Sequence, residues 1–289
     1  MTRSAVEKGT RFVELHNGSE MFLMPNAWDA GSARMLEDAG HAAIGTTSAG
    51  IVYAMGRPDY EGLIGRDEML TACRNIAEAV DIPVSGDLED GYGQSPEDAA
   101  ETMRAAIQAG LAGGSLEDHP GPGGTPLADP QAMADRVRAA REAIDTTGQP
   151  FVLTARAECY LVGHGDPSRP GKGGGDPFSN SMARLKLYTK AGADCVYAPG
   201  MTDADEITAS VQDTGAPVNV LVGIRNFPLS FEKLEELGVR RLSIGGSLSC
   251  AVLGLVHRAA AAMMEGNIDY FDGALSHSQI CDLFRREST

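Results

Sequence analysis

Acidic side chains follow two neighbouring apolar runs of this sequence, and carboxylates that meet at one place can hold a metal ion. The stretch VSGDLEDGYG, residues 84–93, puts Asp87 and Glu89 directly after an apolar run, and GGSLEDH, residues 113–119, puts Glu117 after the next run. Three carboxylates held together repel one another and lose hydration unless a cation lies among them. We therefore expect a divalent metal, with an acidic loop in solvent as the alternative. Because the ligands are hard oxygens without Cys or His at metal spacing, Mg²⁺ is favoured, and Mn²⁺ is the second choice.

Two further residues belong to this pattern. Strand alternation puts the first two acids of the motif on one face and Asp90 on the other, so Asp90 is expected to cap the GYG turn. Arg156 ends a later apolar run, PFVLTAR, and its planar guanidinium suits an anionic substrate near the metal. A structural ion pair of Arg156 with Glu158 or Glu117 is the alternative.

The elements that position these residues repeat along the chain. Four helical runs end at a glycine, where a left-handed cap is easy, and a short apolar run follows each of them. Three helices begin at an N-cap side chain, twice with Pro at the first helical position. The glycines are Gly40, Gly110, Gly192 and Gly238, and the N-caps are Ser95, Asp129 and Ser230.

Apolar runs that can be strands occur eight times. They lie at residues 21–28, 41–48, 81–89, 111–118, 150–158, 193–200, 217–223 and 240–246. The runs are continuous rather than alternating, as expected for parallel strands covered by helices. Eight such units in roughly 250 residues predict one α/β domain over residues 1–289, a TIM-type (β/α)₈ barrel, with a doubly wound sheet as the alternative. The carboxyl ends of the strands meet at one face of a barrel, which would gather the acids and Arg156.

Composition limits the partners that this chain can have. The formal charge is −16 without a basic block, so we expect neither nucleic acid nor an anionic membrane surface as a partner. We find no apolar stretch near the roughly 18 residues that span a bilayer and no signal-peptide centre, which predicts a soluble cytoplasmic protein. The five cysteines are scattered and form no CxxC pair, so neither a disulfide framework nor a zinc site is indicated.

The C-terminal segment, about residues 250–289, begins with the stretch CAVLGLVHRAAAAMMEG. This stretch is too apolar for a helix that stands alone on a surface. It must pack either on the barrel or on a neighbouring subunit. We expect a homotetramer or homodimer formed through these C-terminal helices.

Several motifs in order resemble the isocitrate lyase / phosphoenolpyruvate mutase superfamily. PNAWDAGSARMLEDAGHAAIGTTSAG is similar to the first βαβ unit of that family, and MGRPD to the motif that supplies an active-site Asp. SGDLEDGYG resembles its D-x-D-x-G-Y-G metal motif, GGSLEDH its G-x-x-I-E-D-Q motif, and TARAE its A-R-T-D/E motif. The resemblance runs from about residue 10 to 260. It implies a modified barrel, usually tetrameric with the last barrel helix swapped between subunits, Mg²⁺ bound largely through waters, and 2-oxo acid substrates or products.

The resemblance also implies roles for individual residues. Asp87 would contact the metal most directly, and Glu89 and Glu117 would hold it through water. The amides around Thr47, Ser48 and Ala49 would cradle the pyruvoyl carboxylate, Arg156 would clamp a carboxylate or phosphonate, and Asp59 would lie close to the metal waters.

Two departures from the family pattern bear on the reaction. Glu89 stands where Asp is usual, and the longer acid could shift the metal. Isocitrate and methylisocitrate lyases carry a K-K-C-G-H loop whose Cys protonates the product carbanion, whereas this chain reads EDHPGPGGTPLADP after the second apolar run. The loop contains neither Cys nor Lys, which places the chain outside those lyases. The phosphonopyruvate branch uses polar side chains and Lys on this loop, and here the loop offers only His119, Thr125 and Asp129, which argues against mutase chemistry.

These observations favour an enzyme that cleaves the bond to C3 of a small 2-oxo acid through a pyruvate enolate, as an oxaloacetate decarboxylase does. Phosphonopyruvate hydrolase or phosphoenolpyruvate mutase chemistry is the first alternative. A retro-aldol lyase acting on a malate-like 2-hydroxy acid is the second, and a non-catalytic barrel that binds a metabolite is the third.

Two glycine-rich segments have weaker meanings. GHGDPSRPGKGGGDP, residues 163–177, lacks the spacing of a phosphate loop and is interpreted as a lid, with His164, Arg169 and Lys172 as candidate substrate contacts. The Gly245-Gly246 turn could bind phosphate, but tight packing at the barrel rim is the preferred interpretation.

Overall fold

The computed structural model describes residues 3–119, 127–161 and 176–285. Within these residues, nine parallel strands form one sheet, and eleven helices surround it. The strands are β1 (Phe22–Met24), β2 (Asn26–Ala27), β3 (Ile44–Thr46), β4 (Val84–Asp87), β5 (Gly113–Glu117), β6 (Val152–Arg156), β7 (Cys195–Tyr197), β8 (Val218–Leu221) and β9 (Arg241–Ser243). The helices are α1 (Ala5–Asn17), α2 (Ala30–Asp38), α3 (Ser48–Ala54), α4 (Arg66–Ala79), α5 (Pro96–Gln108), α6 (Pro130–Thr147), α7 (Pro177–Lys190), α8 (Ala204–Asp213), α9 (Phe231–Glu236), α10 (Ser247–Met264) and α11 (His277–Phe284).

The sheet is a nearly closed barrel, which confirms the predicted architecture. Strands run in the order β1-β9-β8-β7-β6-β5-β4-β3-β2, and β1 and β2 are the two halves of the predicted first strand. Pro25 separates these halves, and because proline has no N–H it cannot continue the ladder as a donor. β1 pairs with β9 on one side and β2 with β3 on the other, so the two halves close the gap between the first and last strands.

The Asn26 side chain stabilises the closure of the barrel. The Asn26 amide nitrogen donates to the Thr46 carbonyl oxygen at 2.7 Å, and its side-chain oxygen accepts from the backbone N–H groups of Ile244 and Gly245 at 3.0 and 2.9 Å. Asn26 therefore links the beginning of the sheet to its end. The engagement of the Gly245 amide supports the packing interpretation of the Gly245-Gly246 turn.

The helix boundaries follow the predicted caps. Ser95 and Asp98 form a capping box at the start of α5, and the side chains of Asp129 and Ser230 cap α6 and α9. Gly110 has a φ of 84°, a left-handed value that favours glycine, directly after α5. These caps let each helix stop and turn back to the next strand in a few residues.

The hydrophobic core lies between the barrel and its helices. Outward-facing strand residues such as Leu116, Leu153, Val196 and Leu242 are fully buried there. Barrel interiors are normally filled by Val, Ile and Leu. The inward-facing positions of this barrel are more polar than that. The inward side chains of β5, β6, β8 and β9 include Ser115, Thr154, Arg156, Asn219, Arg241 and Ser243, and all but Thr154 line the central cavity.

The C-terminal helix α10 is largely exposed: Ser249, in its first turn, is buried, whereas most of its later residues are exposed. Within the described residues it is the one helix that is long and apolar enough, by length and composition, to cross a membrane, with a mean hydropathy of 1.4 and 6% of the segment buried. The expectation that no stretch comes near a membrane-spanning composition is therefore wrong, although one such helix is weak evidence for a membrane. By contrast, α11 returns to the body of the protein, where the Arg34 guanidinium donates to the Leu283 carbonyl at 3.4 Å.

Candidate active site

A cavity of about 210 Å³ opens inside the barrel and towards the carboxyl ends of the strands. This volume suits a small organic acid rather than a cofactor or a drug-sized ligand. A second cavity of about 320 Å³ lies beside it. The predicted site residues divide between the two: Thr47, Ser48, Ala49, Asp59, Asp87 and Arg156 line the first, and Glu89, Glu117 and His119 line the second.

Arg156 is the centre of a buried ion-pair cluster. Its guanidinium contacts Asp87 at 2.7 Å, Glu158 at 2.9 Å and Glu117 at 3.0 Å, and it lies 5.3 Å from the centroid of the Tyr197 ring. The last residues of β4, β5 and β6 supply three of these four charged groups, because neighbouring parallel strands end side by side. Both ion pairs that the sequence offered as the structural alternative for Arg156 are therefore present.

Negative charge exceeds positive charge in this cluster. Burial raises the pKa of Glu117 well above its usual range and also raises the pKa of Glu158, although the Arg156 charge opposes both shifts. The second oxygen of the Glu158 carboxylate, Oε2, is buried and has no hydrogen-bond partner among the residues that the structure describes. Buried carboxylates that outnumber their cation are costly unless a further cation is bound.

A metal ion fits this chemistry if water completes its coordination. Among the residues that the structure describes, no group of three or more His, Cys, Asp or Glu side chains is arranged to hold an ion. Mg²⁺ usually keeps several waters and binds through one or two carboxylates, so the surplus of hard oxygen atoms suits that ion. Asp87 would be its nearest ligand, since it is the carboxylate of the cluster that also lines the central cavity.

Glu89 lies outside the strand that was expected to carry it. β4 ends at Asp87, and Glu89 adopts a left-handed φ of 49°, so strand alternation does not set the direction of its side chain. Burial first, and then the Asp87 charge, raise the pKa of Glu89 to about 8. Its carbonyl accepts a hydrogen bond from the Glu117 N–H at 2.9 Å, which fixes the loop against β5.

Asp90 closes the turn, as predicted. Its carboxylate accepts from the Tyr92 backbone N–H at 2.9 Å and from the Gln94 side-chain amide at 2.9 Å. This geometry is an Asx turn, in which a short acidic side chain replaces a backbone acceptor. Asp90 thus shapes the loop that carries Glu89.

The predicted backbone cradle is partly engaged by the protein itself. The Ser48 N–H and hydroxyl both donate to Asp87 Oδ2, at 3.0 and 3.1 Å, and the Thr47 N–H donates to the Ala27 carbonyl at 3.1 Å. Ala49 is the remaining member, in the first turn of α3, where helical N–H groups have no intrahelical acceptor. Ser48 therefore holds Asp87 in place.

Asp59 and His119 both lie on loops next to Tyr60. Tyr60 lines both cavities, and its ring lies 5.3 Å from the His119 ring, edge to face. Burial raises the pKa of Asp59 and lowers the pKa of His119. Asp59 therefore takes up a proton at a higher pH than an exposed Asp does, and the neutral form of His119 is favoured. Thr125, His164, Arg169 and Lys172, the other loop candidates, lie outside the described residues.

The sequence reasoning missed cavity residues at the far end of the barrel. Asn219 and Arg241 lie in the apolar runs PVNVLVG and RRLSIGG and point inward into the cavity. The sequence does show a single polar residue within each of these apolar segments. Such a residue indicates a cavity position only when it is known which side chains of the strand face inward.

Comparison with known proteins places this geometry in a family. Residues 12–264 match the family model of phosphoenolpyruvate phosphomutase. A solved candidate lyase/mutase from Burkholderia cenocepacia J2315 is 42% identical, with a TM-score of 0.89 over 98% of this chain and 97% of that one. Two more distant structures share the fold. Oxaloacetate acetylhydrolase in complex with the product oxalate is 21% identical, with a TM-score of 0.81 and coverage of 97% and 94%. Phosphonopyruvate hydrolase in complex with oxalate and Mg²⁺ is 23% identical, with a TM-score of 0.80 and coverage of 98% and 95%.

Proposed function

The chain belongs to the phosphoenolpyruvate phosphomutase family, within the isocitrate lyase / phosphoenolpyruvate mutase superfamily of lyases and mutases, and on that basis we propose that it is a Mg²⁺-dependent oxaloacetate decarboxylase. The reaction cleaves the bond between C3 and C4 of oxaloacetate, releases CO₂ and leaves the enolate of pyruvate, which takes a proton at C3. The carboxylate cluster around Arg156, at the edge of a cavity sized for a small acid, is the observation that carries the proposal.

The chain's residues have separate tasks in this proposal. Asp87, fixed by Ser48 and Arg156, would hold the metal, and Glu117 and Glu89 would help to hold it. When bound, Mg²⁺ supplies stabilisation of the negative charge that develops on the 2-oxo oxygen. Arg156 adds positive charge beside Asp87, and three of its five N–H groups are taken by the cluster. Asp59 or His119 moves the proton to C3.

The composition of the loop that follows β5 is compatible with a decarboxylation. It contains neither Lys nor Cys in the sequence, and decarboxylation needs enolate stabilisation more than a covalent partner or a dedicated acid. The solved relatives that bind oxalate, a planar analogue of an enolate, support a site for small dicarboxylates.

A substrate panel tests the proposal. Oxaloacetate, phosphonopyruvate, methylisocitrate and dimethylmalate are each incubated with protein and Mg²⁺, and pyruvate or another 2-oxo acid product is detected by a coupled dehydrogenase. Because Mg²⁺ alone decarboxylates oxaloacetate, the blank contains the same Mg²⁺ without protein. We expect oxaloacetate turnover to fall about 100-fold in Asp87→Asn, and Asp213→Asn, an exposed acid paired with Lys186, to match wild type.

Other outcomes of the panel select the alternatives. Turnover of phosphonopyruvate or dimethylmalate in place of oxaloacetate would point to P–C cleavage or to retro-aldol chemistry. Binding of oxalate without turnover of any compound would indicate a metabolite-binding barrel. Mg²⁺-dependent oxalate binding in Asp87→Asn equal to that of wild type would refute the metal site.

We also propose that the protein is a homo-oligomer joined through α10. Apolar side chains along this helix, among them Val252, Val256 and Met263, are between 42% and 57% exposed. An exposed apolar face of this length is typical of an interface between subunits. The family resemblance, with its swapped terminal helix, supports a second copy of this chain as the covering partner.

A further inference from the structure

Tyr60 lies between the central cavity and the second cavity. Among the residues that the structure describes, it is the one that lines both of them. The preceding residue, Asp59, lines the central cavity, whereas Ile64 and Gly65, which follow Tyr60, line the second cavity. The chain therefore passes from one cavity to the other at Tyr60, on the loop between α3 and α4.

The backbone of Tyr60 has a conformation that a bulky residue rarely adopts. Its φ is 60°, in the left-handed region, where a residue with a Cβ is strained and glycine is not. Strain of this kind persists only where the surrounding structure fixes the residue, and it occurs mostly at active sites and ligand sites. The ring packs edge to face against His119, with 5.3 Å between the ring centroids. The protein thus carries an aromatic ring at a position that glycine would fill without strain.

The cavities on the two sides of this ring differ in size and in charge. The central cavity of about 210 Å³ must hold the substrate together with a metal ion and its waters, whereas the second cavity is larger, at about 320 Å³. Arg66, a cation in the lining of the second cavity, is already paired with Glu101 at 2.6 Å. Because like charges repel, the second cavity suits an uncharged ligand group better than an anionic one. Three acids contribute to its lining: Glu89, Asp90 and Glu117.

We propose that the Tyr60 ring determines which substrates the protein accepts, by closing the central cavity off from the second cavity. A small 2-oxo acid fits in the central cavity, whereas a 2-oxo acid with a bulky uncharged group at C3 needs the space behind the ring. Tyr60 is thus a specificity-determining residue. The choice of a 2-oxo acid as the ligand rests on the proposed function, whereas the separation of the two cavities by Tyr60 does not.

Four substitutions test this role by binding, without turnover. Tyr60→Gly and Tyr60→Asn both remove the ring and tolerate a left-handed φ, so the test stays informative if one of them does not fold. Because Tyr60 is 49% exposed, removing its ring leaves the hydrophobic core intact. Tyr60→Phe keeps the ring and removes the hydroxyl. The matched control is Asn226→Gly, because Asn226 has the same φ of 60° and lines neither cavity.

Three acids are titrated by calorimetry in the presence of Mg²⁺ into each protein, after circular dichroism melts have established that it is folded. Pyruvate carries nothing beyond C3, and 2-oxo-4-phenylbutanoate carries an uncharged benzyl group there. The third acid is 2-oxo-4-phenylbutanoate with a carboxylate at the para position of its ring. The measured quantity is the Kd of each longer acid divided by the Kd of pyruvate for the same protein, so a general change in affinity cancels.

We expect this ratio for 2-oxo-4-phenylbutanoate to fall about 10- to 100-fold in Tyr60→Gly and Tyr60→Asn, because the benzyl group becomes buried in the second cavity. Tyr60→Phe and Asn226→Gly should keep the wild-type ratio. The ratio for the carboxylated acid should fall less than about threefold in all four variants, because the acids of the second cavity repel it.

Ratios for 2-oxo-4-phenylbutanoate within about twofold of wild type in both Tyr60→Gly and Tyr60→Asn would overturn the proposal. An equal fall in Asn226→Gly or in Tyr60→Phe would also overturn it, since neither substitution removes the ring. An equal fall for the carboxylated acid would overturn the assignment of an uncharged group to the second cavity. If the expected fall is found but wild type does not turn over oxaloacetate, the proposed function fails and the role of Tyr60 stands.

Discussion

Acidification should destabilise the folded protein through His16. This side chain is 4% exposed, and burial first, then the Arg241 charge, lower its pKa from 6.5 to about 3. In the unfolded chain the imidazole recovers a pKa of about 6.5. Between these two values the unfolded state binds the proton and the folded state does not, so stability is lost as the pH falls through this window.

The size of the effect follows from the width of the window. Lowering the pH from 7 to 5 adds most of one proton to His16 in the unfolded state alone, at about 1.36 kcal/mol per pH unit below 6.5. The expected loss in the free energy of unfolding is about 2 kcal/mol. Glu89 acts in the opposite direction, because its raised pKa of about 8 lets the folded state bind a proton that the unfolded state releases.

A comparison of variants separates these contributions. Urea unfolding of wild type and His16→Gln at pH 5, 6 and 7 gives the free energy of unfolding of each protein. Gln can accept from Arg241 and donate to the Phe12 carbonyl, and it does not titrate. We expect wild type to lose about 2 kcal/mol more than His16→Gln between pH 7 and pH 5. The control is His277→Gln, at an exposed histidine that begins α11, and it should lose as much as wild type. Parallel pH profiles for wild type and His16→Gln would refute the reasoning.

Three further changes test the fold and the interface. Ser95→Ala removes the capping box of α5 and should cost about 1 kcal/mol of unfolding free energy by chemical denaturation. Arg184→Met leaves Asp118 buried without its 2.9 Å ion pair and should lower the free energy of unfolding by about 3–5 kcal/mol. Arg138→Met removes an exposed ion pair and should lower it by less than about 1 kcal/mol in the same assay. Val256→Glu places a charge on the exposed face of α10 and should convert the oligomer to monomer in size-exclusion chromatography with light scattering; an unchanged mass would argue against this interface.

The sequence predicted the barrel because its signals were local. Each strand lies within the apolar run that predicted it, and caps such as Ser95 and the turn at Gly110 depend on a few adjacent residues. The division of the first strand was not predicted, although Pro25 was visible, because its effect depends on two different neighbouring strands. Local chemistry therefore sufficed for the elements and their order.

The candidate site could be predicted in part. The strand ends brought Asp87, Glu117 and Arg156 together, as the parallel arrangement required. Glu89 departed from alternation because the strand stops two residues earlier and the backbone turns to a positive φ. Asn219 and Arg241 were not predicted because their direction into the cavity is a property of the packed barrel, and no spacing in the chain encodes it.

The closure by Asn26 has a consequence for how the protein is made. Its bond to the Ile244 N–H joins residues 218 positions apart. At a synthesis rate of about 5–20 residues per second, the acceptor precedes its donor by about 11 to 44 seconds. During that interval the edge of β1 has no partner strand, and an open edge can pair with another nascent chain. The completed barrel is thus available only after nearly the whole chain has been translated, and the ribosome's progress to residue 245 sets the earliest moment at which the protein can be folded.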